Sequence, residues 1–312
     1  MSRRLSKFAE AASVLVLVLG WASSAAAQAC CAGTGAVTPG RLALHEAALV
    51  GVQIKAASEL GSFDAGGDYQ RTPRGASELD LEQDAFAAVR IFERAQVAVL
   101  VPFLETHRTS HGQSELGGGL GDINLNLRYD FTLAGASRVV PGIGLLAGIT
   151  FPTGKPPDDD DLRPLATDAT GIGAYQGSLG IAIEQAFGPW LVSATGVAAA
   201  RSARTVTSSG ITIHERLATQ WTALAAAAYV FRSEAAVALS ASYATEGNAR
   251  IDSQEVPRSG HRLTTLTLGG LLPLSDTWRL QSAIFANPPI SGTSRNQTGL
   301  IGFTFTVVRS WT

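Results

Sequence analysis

The chain has 312 residues, 46% of them hydrophobic, and 24 Lys plus Arg against 26 Asp plus Glu give a net charge of −2. With no basic surplus or basic cluster to neutralise phosphates, the composition argues against nucleic acid as a partner. The only cysteines, Cys30 and Cys31, are adjacent, so there is no disulfide framework.

Residues 1–29 read as a secretory signal peptide. Arg3, Arg4 and Lys7 precede an apolar run at 11–22, and Ala25, Ala26 and Ala27 offer a small-residue cleavage site. The run is shorter than the ~20 residues of a membrane-spanning helix. No later segment reaches that length without polar interruption. Acylation of Cys30 is a weaker alternative, because Ala27 stands where a lipoprotein signal usually has a large aliphatic residue. Residues 30–41 are expected to form a short N-terminal periplasmic segment, and 42–312 a transmembrane β-barrel.

The first strand is expected over 42–58, where Val50, Val52 and Ile54 alternate with Gly51, Gln53 and Lys55. Residues 59–77, with Gly66, Gly67, Pro73 and Gly75, read as a loop. Strands at 79–92 and 96–107 are separated by Glu93, Arg94 and Ala95. A connection over 109–120 ends in Gly117, Gly118 and Gly119. Residues 122–131 then alternate without a miss. Asp122, Asn124, Asn126, Arg128 and Asp130 fall on one face; Ile123, Leu125, Leu127, Tyr129 and Phe131 fall on the other. Further strands are expected at 139–151, 174–187, 190–201, 211–231, 235–245, 261–272, 278–286 and 298–311.

Connections after the even-numbered strands are short, and those after the odd-numbered strands are long, polar and rich in Gly or Pro. All short turns therefore fall at one end of the sheet, as in outer-membrane barrels with periplasmic turns and external loops. A Greek-key sandwich does not sort its connections this way. Phe131, Phe151, Phe187, Trp190, Phe231 and Trp278 sit near strand ends, where girdle aromatics belong. The expected fold is all-β: a transmembrane antiparallel up-and-down β-barrel of about 12 strands. Its expected location is the outer membrane of a Gram-negative bacterium, with both termini periplasmic.

Two stretches, G-L-G-D-I-N-L-N-L-R-Y-D-F at 119–131 and P-G-I-G-L-L-A-G-I-T-F-P-T-G-K at 141–155, resemble a bacterial outer-membrane family. That family is labelled as transporters of the meta-pathway of phenol degradation. The resemblance implies a barrel linked with uptake of small, often apolar molecules, and it carries over no functional residues. Such barrels usually end on an aromatic residue read by the insertion machinery, whereas here Trp311 is followed by Thr312.

In a barrel the polar face of 122–131 turns to the lumen. The expected lumen-lining residues are Asp122, Asn124, Asn126, Arg128, Asp130, Glu184, Arg216 and Arg262, with Arg90 a further candidate. Their mixed signs suit ion pairs, because buried charges must be paired whatever the function. Asp158, Asp159, Asp160 and Asp161 could offer oxygen ligands to a divalent cation. Without D-x-D-x-D-G spacing they read better as a solvated loop. His107, His111, His214 and His261 are dispersed, with no H-E-x-x-H, and there is no G-x-S-x-G. No catalytic residue, metal or cofactor is expected, and the chain is not expected to be an enzyme. The expected function is passive uptake or exchange of small, apolar or aromatic, molecules. Outer-membrane lipid and lipopolysaccharide, the barrel-insertion machinery and a small-molecule permeant are the expected partners. The alternatives are a non-conducting structural or surface-interaction barrel and a membrane-embedded hydrolase.

Overall fold

Two-residue alternation runs through the chain, and it folds accordingly into antiparallel strands. The computed structural model describes residues 40–137, 139–157, 162–208 and 211–312. The expected signal peptide, Cys30 and the four aspartates at 158–161 lie outside them. The first strands are β1 (Ala48–Phe63), β2 (Tyr69–Arg71), β3 (Ser77–Phe92), β4 (Ala95–Ser110), β5 (Gln113–Leu120) and β6 (Ile123–Thr132). Next come β7 (Gly142–Phe151), β8 (Gln176–Phe187), β9 (Trp190–Arg201), β10 (Arg204–Ser208), β11 (Ile211–Arg216) and β12 (Gln220–Val230). The last six are β13 (Ala236–Glu246), β14 (Arg250–Ile251), β15 (Gln254–Glu255), β16 (His261–Pro273), β17 (Trp278–Ala286) and β18 (Gln297–Trp311).

Twelve strands form a closed wall in the order β18-β17-β16-β13-β12-β9-β8-β7-β6-β4-β3-β1. β1 closes antiparallel on β18, from Ala48 opposite Trp311 to Phe63 opposite Gln297. Closure satisfies every wall strand on both sides, the condition for spanning hydrocarbon with sheet. Among the described residues no helix is long and apolar enough to cross a membrane.

The large apolar side chains point outward. Val50, Val52 and Ile54 on β1, Leu125 and Leu127 on β6, Leu179, Ile181 and Ile183 on β8, and Phe303 and Phe305 on β18 are all exposed. The inward positions are small or polar, among them Ala182, Ser240, Thr304 and Thr306, all buried. This is the inverted arrangement of a lipid-facing barrel. Aromatics gather at the short-turn end: Trp190, Tyr229 and Phe231 stack edge to face in series, and Arg309 lies over the Trp278 and Trp311 rings. Inside that end Leu191, Ala228, Val230, Ala236, Ala238 and Leu271 make a packed apolar cluster.

The short strands β2, β10, β14 and β15 lie in stretches read as connections, and three further departures bear on the site. The wall begins at Ala48, not at 42, because residues 40–47 run inside the barrel. Residues 113–120, read as a connection, form β5 on the outer half of β4, with Phe103 opposite Leu120 and Ser110 opposite Gln113. β6 takes over the same partner at Leu100 opposite Asn124. β5 and β6 thus act as one strand kinked at Gly121 and Asp122. The glycines are needed for close approach: a Cβ on Gly117 would lie 2.3 Å from Thr167 Oγ1, and Gly118 has φ +151°. The expected strand at 211–231 is two. β12 belongs to the wall, while β11 joins β10, β14 and β15 in a separate sheet at the long-loop end.

Candidate lumen site

Residues 40–47 are pinned within the lumen at two points. The Arg41 guanidinium meets both Glu184 oxygens at 2.5 Å, and Glu184 is 3% exposed. Arg128 Nη2 reaches the same carboxylate at 3.2 Å, and Arg128 Nε donates to Asp130 Oδ1 at 2.8 Å. The result is a chain of alternating charge, Asp130–Arg128–Glu184–Arg41, across three elements. Strand alternation puts Arg128 and Asp130 on one face, and Gly144, opposite Asp130 on β7, leaves them room. A Cβ on Gly144 would stand 2.8 Å from Asp130 Oδ1. Fork geometry makes such charge-assisted contacts stronger than neutral hydrogen bonds.

The second anchor lies a few residues on. Arg279 pairs with buried Glu46, whose other oxygen accepts the Ala43 N–H at 2.7 Å. Arg90 donates to the Glu46 carbonyl at 2.9 Å and to the Ala43 carbonyl at 2.6 Å. Between the anchors Leu42 packs with Leu49, Phe86, Ala88, Ala98 and Val308, and its N–H donates to Gln96 Oε1 at 3.1 Å. Burial of that leucine contributes roughly 2 kcal/mol.

Beside the segment is a cavity of about 270 Å³. Its floor is Gly40, Arg41, Arg128 and Glu184, and its walls mix Ala98, Leu146, Val197 and Leu224 with Asn126, Ser178, Thr195 and Thr222. Gln176 and Gln220 stand toward the long-loop end, tied by Arg201. That guanidinium donates to Gln176 Oε1 at 2.8 Å, Gln220 Oε1 at 3.0 Å and Glu246 Oε2 at 2.6 Å. His261 Nε2 lies 3.3 Å from the same Glu246 oxygen. These five side chains converge because each stands at a strand terminus on that side.

The sequence-derived residues fall into three groups. Asn126, Arg128 and Glu184 line the cavity, with Asp130 bound to Arg128. Asp122 and Asn124 stand instead at the root of the long 152–172 connection. Asp122, buried, accepts the Gly154 N–H at 2.9 Å and the Ile172 N–H at 2.7 Å, closing the connection's two ends together. Asn124 accepts the Thr150 hydroxyl at 2.6 Å. Thr153 Oγ1 donates to the Gly121 carbonyl at 2.6 Å and accepts the Ile123 N–H at 3.0 Å. The two stretches that carry the family resemblance are therefore clasped to each other. Farther along, Lys155 Nζ meets Asp168 at 3.0 Å. The Arg163 backbone N–H, helped by Lys155, holds the Asp168 carboxyl below its ordinary value of 3.8.

Arg216 and Arg262 form the third group and are corrections. Arg216 is exposed on β11, outside the wall, because β11 pairs with β14 rather than with a barrel strand. Arg262 shares the outward-facing set of β16 with Leu266 and Leu268, at two-residue spacing. It bridges to Arg295 in the last connection. The sequence reading missed Arg41 and Arg201, whose roles depend on distant partners. It also missed Glu78, Asp80, Glu82 and Asp84 on β3, which the period-two run E-L-D-L-E-Q-D announces.

No protein-family profile matches the chain, and no curated protein matches it. Solved structures do. An outer membrane channel from Pseudomonas putida F1 superposes with TM-score 0.71 at 18% identity, covering 88% of this chain and 100% of that one. The translocator domain of the autotransporter NalP from Neisseria meningitidis gives TM-score 0.46 at 9% identity, covering 89% and 92%. The CymD monoaromatic hydrocarbon channel gives 0.42 at 11%, covering 85% and 89%. The first shares this barrel fold; the other two are too distant to bear on function.

Proposed function

We propose that this chain is an outer-membrane barrel through which small, largely apolar molecules, including monocyclic aromatics, pass by diffusion. The observation that carries the reading is the cavity inside a closed lipid-facing wall: about 270 Å³ and lined by apolar as well as polar side chains. That volume suits one small molecule. Its charged groups are paired with one another, so the surface offered to a guest is mainly Ala98, Leu146, Val197 and Leu224 with a few hydroxyls and amides. The Arg41–Glu184 contact lies at its floor, and the Arg201–Glu246 contact lies beyond Gln176 and Gln220.

Uptake of labelled phenol by cells expressing the barrel, against cells expressing Val197→Trp, tests this. The indole fills the cavity, so the variant is expected to lose the added uptake while reaching the membrane in equal amount. Equal uptake by both would overturn the reading. It would favour a second one, a non-conducting surface-interaction barrel, to which the lumen-crossing segment 40–47 and the separate four-stranded sheet at the long-loop end lend support.

A further inference from the structure

The long-loop end of the cavity has a chemical asymmetry that its charged floor lacks, and strand register sets it up. Gln176 stands opposite Arg201 across β8 and β9, and Gln220 stands opposite both Ala199 on β9 and Glu246 on β13. Side chains directly opposite one another share a face, and Ala199 and Arg201 are two residues apart, so all of them point inward. Every Arg201 nitrogen is engaged there: Nε on Gln176 Oε1, Nη2 on Gln220 Oε1 and Nη1 on Glu246 Oε2.

A guanidinium donates hydrogen bonds and accepts none, so each glutamine gives it the carbonyl oxygen and keeps the NH2 group for elsewhere. Neither NH2 donates to any group among the described residues. Both glutamines line the cavity. The cavity is thus offered two donors at one end, both hung from one guanidinium. The hydroxyls of Ser178, Thr195 and Thr222 turn to donate or accept as required and select for neither. Charge is already matched, Arg201 with Glu246 at 2.6 Å and, at the floor, Glu184 with Arg41 and Arg128. A charged guest would bring an unmatched charge into a part-apolar site.

We infer, resting on the reading of this cavity as the passage, that its preferred guest is a neutral aromatic carbonyl compound whose oxygen accepts from Gln176 Nε2 and Gln220 Nε2. A ketone, aldehyde or ester oxygen has two lone pairs for the two donors and no proton to oppose them. Arg201 touches no guest; it is a positioning residue that keeps both amides from turning over.

Acetophenone and α-methylstyrene, which differ only in C=O against C=CH2, test this. Binding to the refolded barrel in non-ionic detergent is measured by equilibrium dialysis. Val197→Trp, its cavity filled, serves as the blank, so that partition into detergent cancels. The affinity for acetophenone relative to α-methylstyrene is expected to fall on the order of tenfold in the double variant Gln176→Leu, Gln220→Leu. An equal ratio in wild type and variant would overturn the inference, while bound α-methylstyrene would leave the cavity reading standing. Binding of neither compound by the wild type would overturn both. Should the double variant fail to fold, Gln176→Glu keeps an oxygen on Arg201 and puts an acceptor where the NH2 was. The same ratio is expected to fall, and an unchanged one overturns the inference. Arg201→Lys, a point charge in place of a fork, should lower the ratio partway; a merely structural arginine would leave it unmoved, and that result would overturn the positioning role.

Discussion

The Arg41–Glu184 contact governs how firmly residues 40 and 41 stand in the lumen, and Arg41→Ala removes it cleanly. Glu184 keeps Arg128 at 3.2 Å, so the variant leaves no naked buried carboxylate. What is lost is a two-pronged charge-assisted contact at 2.5 Å. Hydrogen bonds to charged groups contribute about 1.5–3 kcal/mol each. Taking about 3 kcal/mol for the pair, at about 1.4 kcal/mol per factor of ten, the undocked fraction should rise on the order of 100-fold. Arg90, Glu46 and Leu42 still hold the following residues, so among the described residues the change is confined to 40 and 41. Single-channel recording in planar bilayers reads the result: Arg41→Ala should show longer and larger openings than wild type. Arg41→Lys, which offers one point of charge in place of a fork, should fall between them. Indistinguishable traces from all three proteins would refute the reading that this contact limits the passage.

Asp122→Ala removes the acceptor that joins both ends of the 152–172 connection. A cost of about 2 kcal/mol should speed trypsin cleavage after Arg163 by more than tenfold at neutral pH. Asp168, whose folded-state carboxyl titrates below 3.8, contributes stability to the same connection that is complete above its unfolded value. It is lost only as pH falls through the depressed one. A spin label at residue 166 should therefore stay immobile down through the ordinary carboxylate range and loosen below it. On the outer surface, Leu179→Arg places a charge at a 65% exposed lipid-facing position of β8. It should reduce folding stability in vesicles by about 2–4 kcal/mol if near mid-bilayer, as read by denaturant titration.

The wall was legible where one face is apolar and the other is not. The segment 278–286 matches β17, and 122–131 differs from β6 by one residue at each end, because strict alternation marks both the element and its faces. β5 escaped notice because Gly117, Gly118 and Gly119 read as a loop. Their strand exists through pairing with β4 and contact with Thr167, neither of which leaves a local signal. The 211–231 run looked continuous since hydropathy does not say which sheet a strand will join. At the site, Arg128 and Asp130 could be placed by spacing alone. Arg41 could not, because nothing in residues 40–47 encodes that the chain turns back into the barrel.

β1 and β18 stand at opposite ends of the described chain and nevertheless share a register from one rim to the other. Every other wall pairing joins strands close in sequence, most of them through a turn or a single loop. The seam is therefore the one pairing whose ends must find each other across the whole barrel, with the entropic cost of closing the largest loop. Until it forms, the sheet has two unsatisfied margins, each a template for pairing with another chain. Assembly speed and the hazard of aggregation are thus concentrated in a single late zippering event. Substitutions along Ala48–Phe63 or Gln297–Trp311 should accordingly alter how much protein reaches its folded state more than they alter how stable it is once there.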